Sequence, residues 1–119
     1  MIYKKIGITG STGVLGSSII KNFKNFHFDC FKGDITKKKH LRNWLKNKKF
    51  DGVFHLAAIV PVNQVNKDYK KALKVNYEGT KNLVDEIIKQ NTCNWFLFSS
   101  TSHVYGFSKN RIKENFKPR

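Results

Sequence analysis

Acidic residues are scarce in this 119-residue chain: eight aspartates and glutamates stand against 23 lysines and arginines, for a formal charge of +15. Cysteine is rarer still. Cys30 and Cys93 lie far apart, and neither is near a CxxC or a Cys/His cluster. That excludes a disulfide framework and supplies no metal site, and reduced thiols make the cytoplasm the expected location. No apolar run is long enough to cross a bilayer as a helix. The first apolar stretch contains Gly10 and ends in polar turn residues, unlike a secretory signal. Repeats, low-complexity tracts and linkers are absent, and the length suits one domain.

A deficit of acids raises the question of nucleic acid. The lysines, however, are dispersed. Lys37, Lys38 and Lys39 begin a helical pattern, Lys46, Lys48 and Lys49 end it, and others dot the later helices. They occupy the polar positions of amphipathic helices, so the charge reads as solvated faces. No specific nucleic-acid partner and no membrane partner are expected. With 39% hydrophobic residues and ten phenylalanines, the chain can build a core.

What is present is concentrated near the start. Ile6 to Gly16 is an apolar strand running into Gly10, Gly13 and Gly16, three glycines spaced three apart, and then into a helix. The first glycine permits the tight turn, the second lets backbone approach a pyrophosphate, and the third lets helix and strand pack closely. Free N–H groups at the helix start attract an anionic phosphate. The pattern then alternates. Strands are predicted over 2–8, 26–32, 52–58 and 95–99, the last a continuous apolar run expected to be covered on both faces. Helices are predicted with Leu15, Ile19 and Phe23 on one face, with Thr36 as N-cap of a stripe of Leu41, Trp44 and Leu45, and from 64 to 90 with Leu73, Asn76, Thr80, Leu83 and Ile87 on one side. Such alternation gives an α/β fold with a doubly wound parallel sheet, whose ligands bind at the carboxyl ends of the strands.

Five segments, in order, resemble one family. They are Thr9 to Gly16, Gly33-Asp34-Ile35-Thr36, Phe54-His55-Leu56-Ala57-Ala58, Val75 to Leu83 and Phe98 to Gly106. The chain resembles the N-terminal part of extended short-chain dehydrogenases/reductases, the NAD-dependent epimerase/dehydratase group acting on nucleotide sugars. The resemblance implies an incomplete Rossmann-type sheet of about four strands with flanking helices. Residues 1–119 would be the N-terminal part of the dinucleotide-binding domain, with the substrate-binding C-terminal part absent.

Roles follow from the same resemblance. Gly10, Thr12, Gly13, Val14, Leu15 and Gly16 would hold the pyrophosphate, and Asp34 with Ile35 would contact the adenine. Leu56, Ala57 and Ala58 would line the cofactor bed, with Asn76 and Ser99 beside it. Thr101 falls at the family's catalytic serine or threonine, whose hydroxyl bonds the substrate oxygen. His55 is expected to be packed and His103 to orient local polar groups. The 4,6-dehydratase branch carries Asp-Glu after its threonine; Ser102-His103 here disfavours that chemistry. Tyr105 and Lys109 fit the spacing of the family's acid-base pair, yet they lie too soon after Thr101, and the working tyrosine belongs to a later helix. Inactivity of this chain alone is therefore expected. NAD is the implied cofactor, and Lys32 leaves NADP open. A nucleotide-sugar substrate and, for the full-length enzyme, a homodimer are compatible with the resemblance. The competing readings are a non-catalytic dinucleotide-binding module and a basic nucleic-acid binder.

Overall fold

Short runs of apolar and β-branched residues make four strands: β1 (Lys4–Thr9), β2 (Phe26–Cys30), β3 (Phe50–His55) and β4 (Cys93–Phe98). The computed structural model describes residues 4–119, so Ile2 and Tyr3 of the predicted first strand lie outside the described residues. The strands form one parallel sheet in the order β2-β1-β3-β4. The chain runs outward from β1 to β2 and crosses back to β3 on the other side of β1. The pair β1 and β3 therefore flanks the switch point, where a doubly wound sheet opens a crevice. The six-strand version of this fold has a further strand outside β2. Here β2 alone separates α1 (Val14–Asn22) from α2 (Lys38–Leu45).

Register assigns the faces. Gly7, Asp29, Val53 and Phe96 align across the sheet, and α2 and α5 (Thr80–Gln90) pack over that row. Leu41, Leu45, Val53 and Leu83 are wholly buried there, with Ile35, Trp44, Phe50 and Ile87 around them. The stripe predicted for α2 is thus the stripe it buries. Arg42 on α2 pairs with the buried Glu86 on α5 at 3.1 Å. On the same face the Asp29 carboxylate accepts Trp44 Nε1–H at 2.8 Å and pairs with Lys48 at 2.9 Å. Burial alone would raise its pKa, but the hydrogen bonds from Lys48 and Trp44 outweigh that and hold it below the usual carboxylate value. The opposite face carries a ladder of rings, Phe26, Phe28, Phe54 and Trp95. Trp95 lies directly over Gly52, where a Cβ would be 2.2 Å from its ring.

Several local expectations are corrected. Gly16, rather than Leu15, Ile19 and Phe23, is the buried residue of α1, because the helix packs through its glycine onto the backbone of the turn at Gly10 and Ser11. Thr36 does not cap α2; its N–H and hydroxyl bind Asp34, and the N-cap is Lys37. The predicted 64–90 helix is four pieces: α3 (Val62–Lys67), α4 (Tyr69–Leu73), a π-helical turn (Lys74–Gly79) and α5. Asp68 breaks it by leaving helical backbone angles and accepting Lys71 N–H as the cap of α4. Ala72 is buried in place of Leu73. The strand ends shift as well: β2 stops at Cys30, and β3 stops at His55, leaving Leu56 to Ala58 beyond it. Finally, β4 is not covered on both faces. Among the described residues it pairs only with β3, and Trp95, Leu97 and Phe98 are 41%, 43% and 55% exposed.

Candidate functional site

The turn from β1 into α1 is made by glycine for two separate reasons. Gly10 sits at φ +74°, and a Cβ there would lie 2.7 Å from Ala57 N and from the Leu56 carbonyl carbon. A Cβ at Gly16 would fall 2.1 Å from the Gly10 carbonyl oxygen. No other residue fits either place without moving backbone. Gly13 differs. Its Cβ would meet only the Gly10 carbonyl, at 3.4 Å, and otherwise project into open space. The fold itself therefore does not require glycine there. As N-cap of α1 it offers no side chain to the first-turn amides, and that turn holds no acid. Unsatisfied amides backed by a helix dipole suit an anionic group. Thr12, Val14 and Leu15 are exposed around this opening.

Across the switch point lies a cavity of about 550 Å³. Leu56, Ala57, Ala58, Asn76, Ser99 and Thr101, all predicted site residues, line it together. Asn76 clasps the Ile59 backbone from both sides, accepting its N–H at 2.7 Å and donating to its carbonyl at 2.9 Å. The π-helical turn carries Asn76 into this position, as such turns commonly do at functional sites. Thr101 is exposed at the start of a short 3-10 turn (Ser102–Val104). Its hydroxyl accepts the His103 N–H at 3.2 Å and lies 3.0 Å from His103 Nδ1. So His103 does orient a local polar group. Among the described residues no tyrosine lines the cavity. Tyr105 instead packs edge-on against Phe116, and Lys109 lies in a segment without a helix.

Asp34 follows β2, exposed, its carboxylate accepting the Thr36 N–H at 2.9 Å and hydroxyl at 2.7 Å. Those two bonds hold its pKa below the ordinary value. Ile35 is buried in the core against Gly79, so its side chain cannot face a ligand and only its backbone remains for one.

His55 is buried, as expected, but is not merely packed. Nδ1 lies 2.7 Å from Thr9 Oγ1 and Nε2 lies 2.7 Å from Thr80 Oγ1. Burial pushes its pKa down to about 4. Thr9 and Thr80 have no site role on sequence grounds. The available signal is a threonine within the apolar stripe of α5, beside Leu83 and Ile87. Cys30 and Cys93 are free, and no cluster of three metal-ligating side chains occurs among the described residues. No helix among them is long and apolar enough to cross a membrane.

A glycine loop thus stands beside a cavity lined by Thr101 and Asn76. The sequence pattern of the NAD dependent epimerase/dehydratase family matches residues 6–119. This chain belongs to that family. It is similar to the UDP-glucose 4-epimerase of Pisum sativum, 28% identical over 134 aligned positions that include 87% of this chain and 38% of the relative. It is also similar to the dTDP-4-dehydrorhamnose reductase of Aggregatibacter actinomycetemcomitans, 28% identical over 114 positions that include 90% of this chain and 38% of the relative. Among solved structures, RMD from Pseudomonas aeruginosa complexed with NADPH shares the fold, with a TM-score of 0.81 at 23% identity over 98% of this chain and 42% of that one. The chain thus spans 38% of the length of each of these two curated relatives. The family's Rossmann-type sheet, read from the sequence, is the sheet observed.

Proposed function

We propose that this family member is the dinucleotide-binding half of an NAD(P)-dependent enzyme that moves hydride between a nucleotide-sugar carbon and nicotinamide. The observation that carries this is continuity. Gly10 rests on the backbone of Leu56 and Ala57, and those same residues line the cavity with Asn76 and Thr101. A pyrophosphate at the open side of Gly13 would direct the rest of the dinucleotide over Leu56, Ala57 and Ala58 toward Ser99 and Asn76. The bound cofactor would supply the hydride acceptor or donor. Thr101 would hydrogen-bond the substrate oxygen, at the carbon losing or gaining hydride. Asp34, with the Ile35 backbone, would receive the adenine. Equilibrium dialysis against NAD+ and NADP+ should show saturable one-to-one binding; its absence for both would sink the reading.

Two observations favour NADP(H) over NAD(H) and the reductase layout over the epimerase. In NAD sites an acid about twenty residues beyond the first glycine binds the ribose hydroxyls. That place is Cys30 here, while Asp29 is engaged by Trp44 and Lys48 and Asp34, four residues further on, is the residue assigned to the adenine. Lys32, exposed just after β2, is free to meet a 2′-phosphate. The alignment with the epimerase runs over more positions than this chain has, so part of that relative faces no residue here, whereas the reductase aligns with little left over. A further strand outside β2, absent among the described residues, would account for such a gap. Lys32→Glu should weaken NADPH binding about tenfold and leave NADH unchanged or tighter, as expected for one charge contact. NADH binding more tightly than NADPH to the wild-type chain would reverse the assignment.

A further inference from the structure

The protons around His55 can be placed by counting donors. Thr80 Oγ1 donates its one hydrogen to the Asn76 carbonyl at 2.7 Å, so the contact with His55 Nε2 must be filled by an Nε2–H donating to Thr80. Nδ1 then has no proton, and the Thr9 hydroxyl donates to it. The Thr9 lone pairs are left to accept, and the Leu56 and Ala57 amides each approach Thr9 Oγ1 at 3.3 Å. Every hydrogen in this chain of bonds runs in one direction. The opposite tautomer would set three donors on Thr9 and take the Thr80 hydrogen from Asn76. Phe96 and Phe98 of β4 flank the ring, and no charged side chain among the described residues offsets an imidazolium there.

We propose that His55, as the neutral Nε2–H tautomer, is a positioning residue that locks the phosphate loop to the cavity wall. Through Thr9 it orders the acceptor holding the Leu56 and Ala57 amides, on which Gly10 rests; through Thr80 it fixes the turn presenting Asn76. Neither contact is with the ligand itself, and the proposal rests on the dinucleotide reading above. The same backbone segment serves the glycine loop on one side and the cavity on the other, so a slip at Thr9 displaces both.

Two measurements test it. ¹⁵N NMR of the intact chain near neutral pH should show His55 with a pyrrole-type Nε2 and a pyridine-type Nδ1; the reverse assignment overturns the proton order and the proposal, without any variant. NADPH titration should then find Thr9→Ser, which keeps the hydroxyl, close to wild type, and Thr9→Val weakened about tenfold, the scale of one buried hydrogen-bond network losing its centre. A folded Thr9→Val with wild-type affinity overturns the positioning role alone. A wild-type chain that binds neither NADPH nor NADH overturns the dinucleotide reading and the proposal with it.

Discussion

A Cβ at Gly13 would meet one oxygen at 3.4 Å, whereas a Cβ at Gly16 would lie 2.1 Å from that same oxygen. The two glycines therefore predict opposite phenotypes. Gly16→Val should destabilise the chain by about 1–3 kcal/mol or more in urea unfolding, because backbone must move. Gly13→Val should lose no more than about 1 kcal/mol, the N-cap preference for glycine over valine. His55 predicts a pH dependence. The unfolded chain protonates it near pH 6.5, while the folded chain refuses the proton until about pH 4. Its contribution to stability is thus complete above pH 6.5, is lost as pH falls between those values, and levels off below. The shift corresponds to about 3 kcal/mol. Urea stability measured from pH 7 to pH 4 should fall more steeply for wild type than for His55→Gln, and parallel curves would contradict the buried neutral imidazole. Spacing along the chain shows the glycines plainly. It cannot show that His55 meets Thr9, because that contact joins residues 46 apart and depends on the register of β3 against β1.

At the scale of elements, the core face is the most predictable part. Leu41, Trp44 and Leu45 announce a buried stripe, and α2 and α5 close over Val53 with Leu83 at the centre. Leu83→Ala should cost about 2–5 kcal/mol, because a fully buried leucine leaves a cavity that a sheet and two helices cannot fill. A loss below 1 kcal/mol, measured by urea unfolding, would mean that α5 is not docked as described. Elsewhere periodicity misleads for identifiable reasons. The apolar run of β4 records side chains suited to burial, but β3 is its sole strand partner in this sheet. Leu15 and Phe23 repeat like a helix face, yet close approach of Gly16 to the Gly10 turn decides which side of α1 is buried. Asp68 and Thr36 each chose a local hydrogen bond over the predicted helical role, the usual competition for short polar side chains.

For the whole molecule, a charge of +15 makes non-specific attraction to phosphates certain at low salt, so any binding assay has to separate it from a built site. Binding to DNA should be independent of sequence and should collapse as salt rises to physiological strength; a complex that survives there with a sequence preference would promote the nucleic-acid reading. Turnover is expected to be absent in the isolated chain, since no tyrosine among the described residues lines the cavity and Tyr105 is packed on Phe116. Activity with any nucleotide sugar that is lost in Tyr105→Phe would show the reacting proton to pass through that residue after all. The central claim, a dinucleotide held at the glycine loop, is tested most directly by calorimetric titration at physiological salt. NADPH should bind the wild-type chain saturably at one site, and Gly13→Val, folded by circular dichroism, should give no binding heat. Equal affinity in the two proteins, or no binding of NADPH or NADH by wild type, would contradict it.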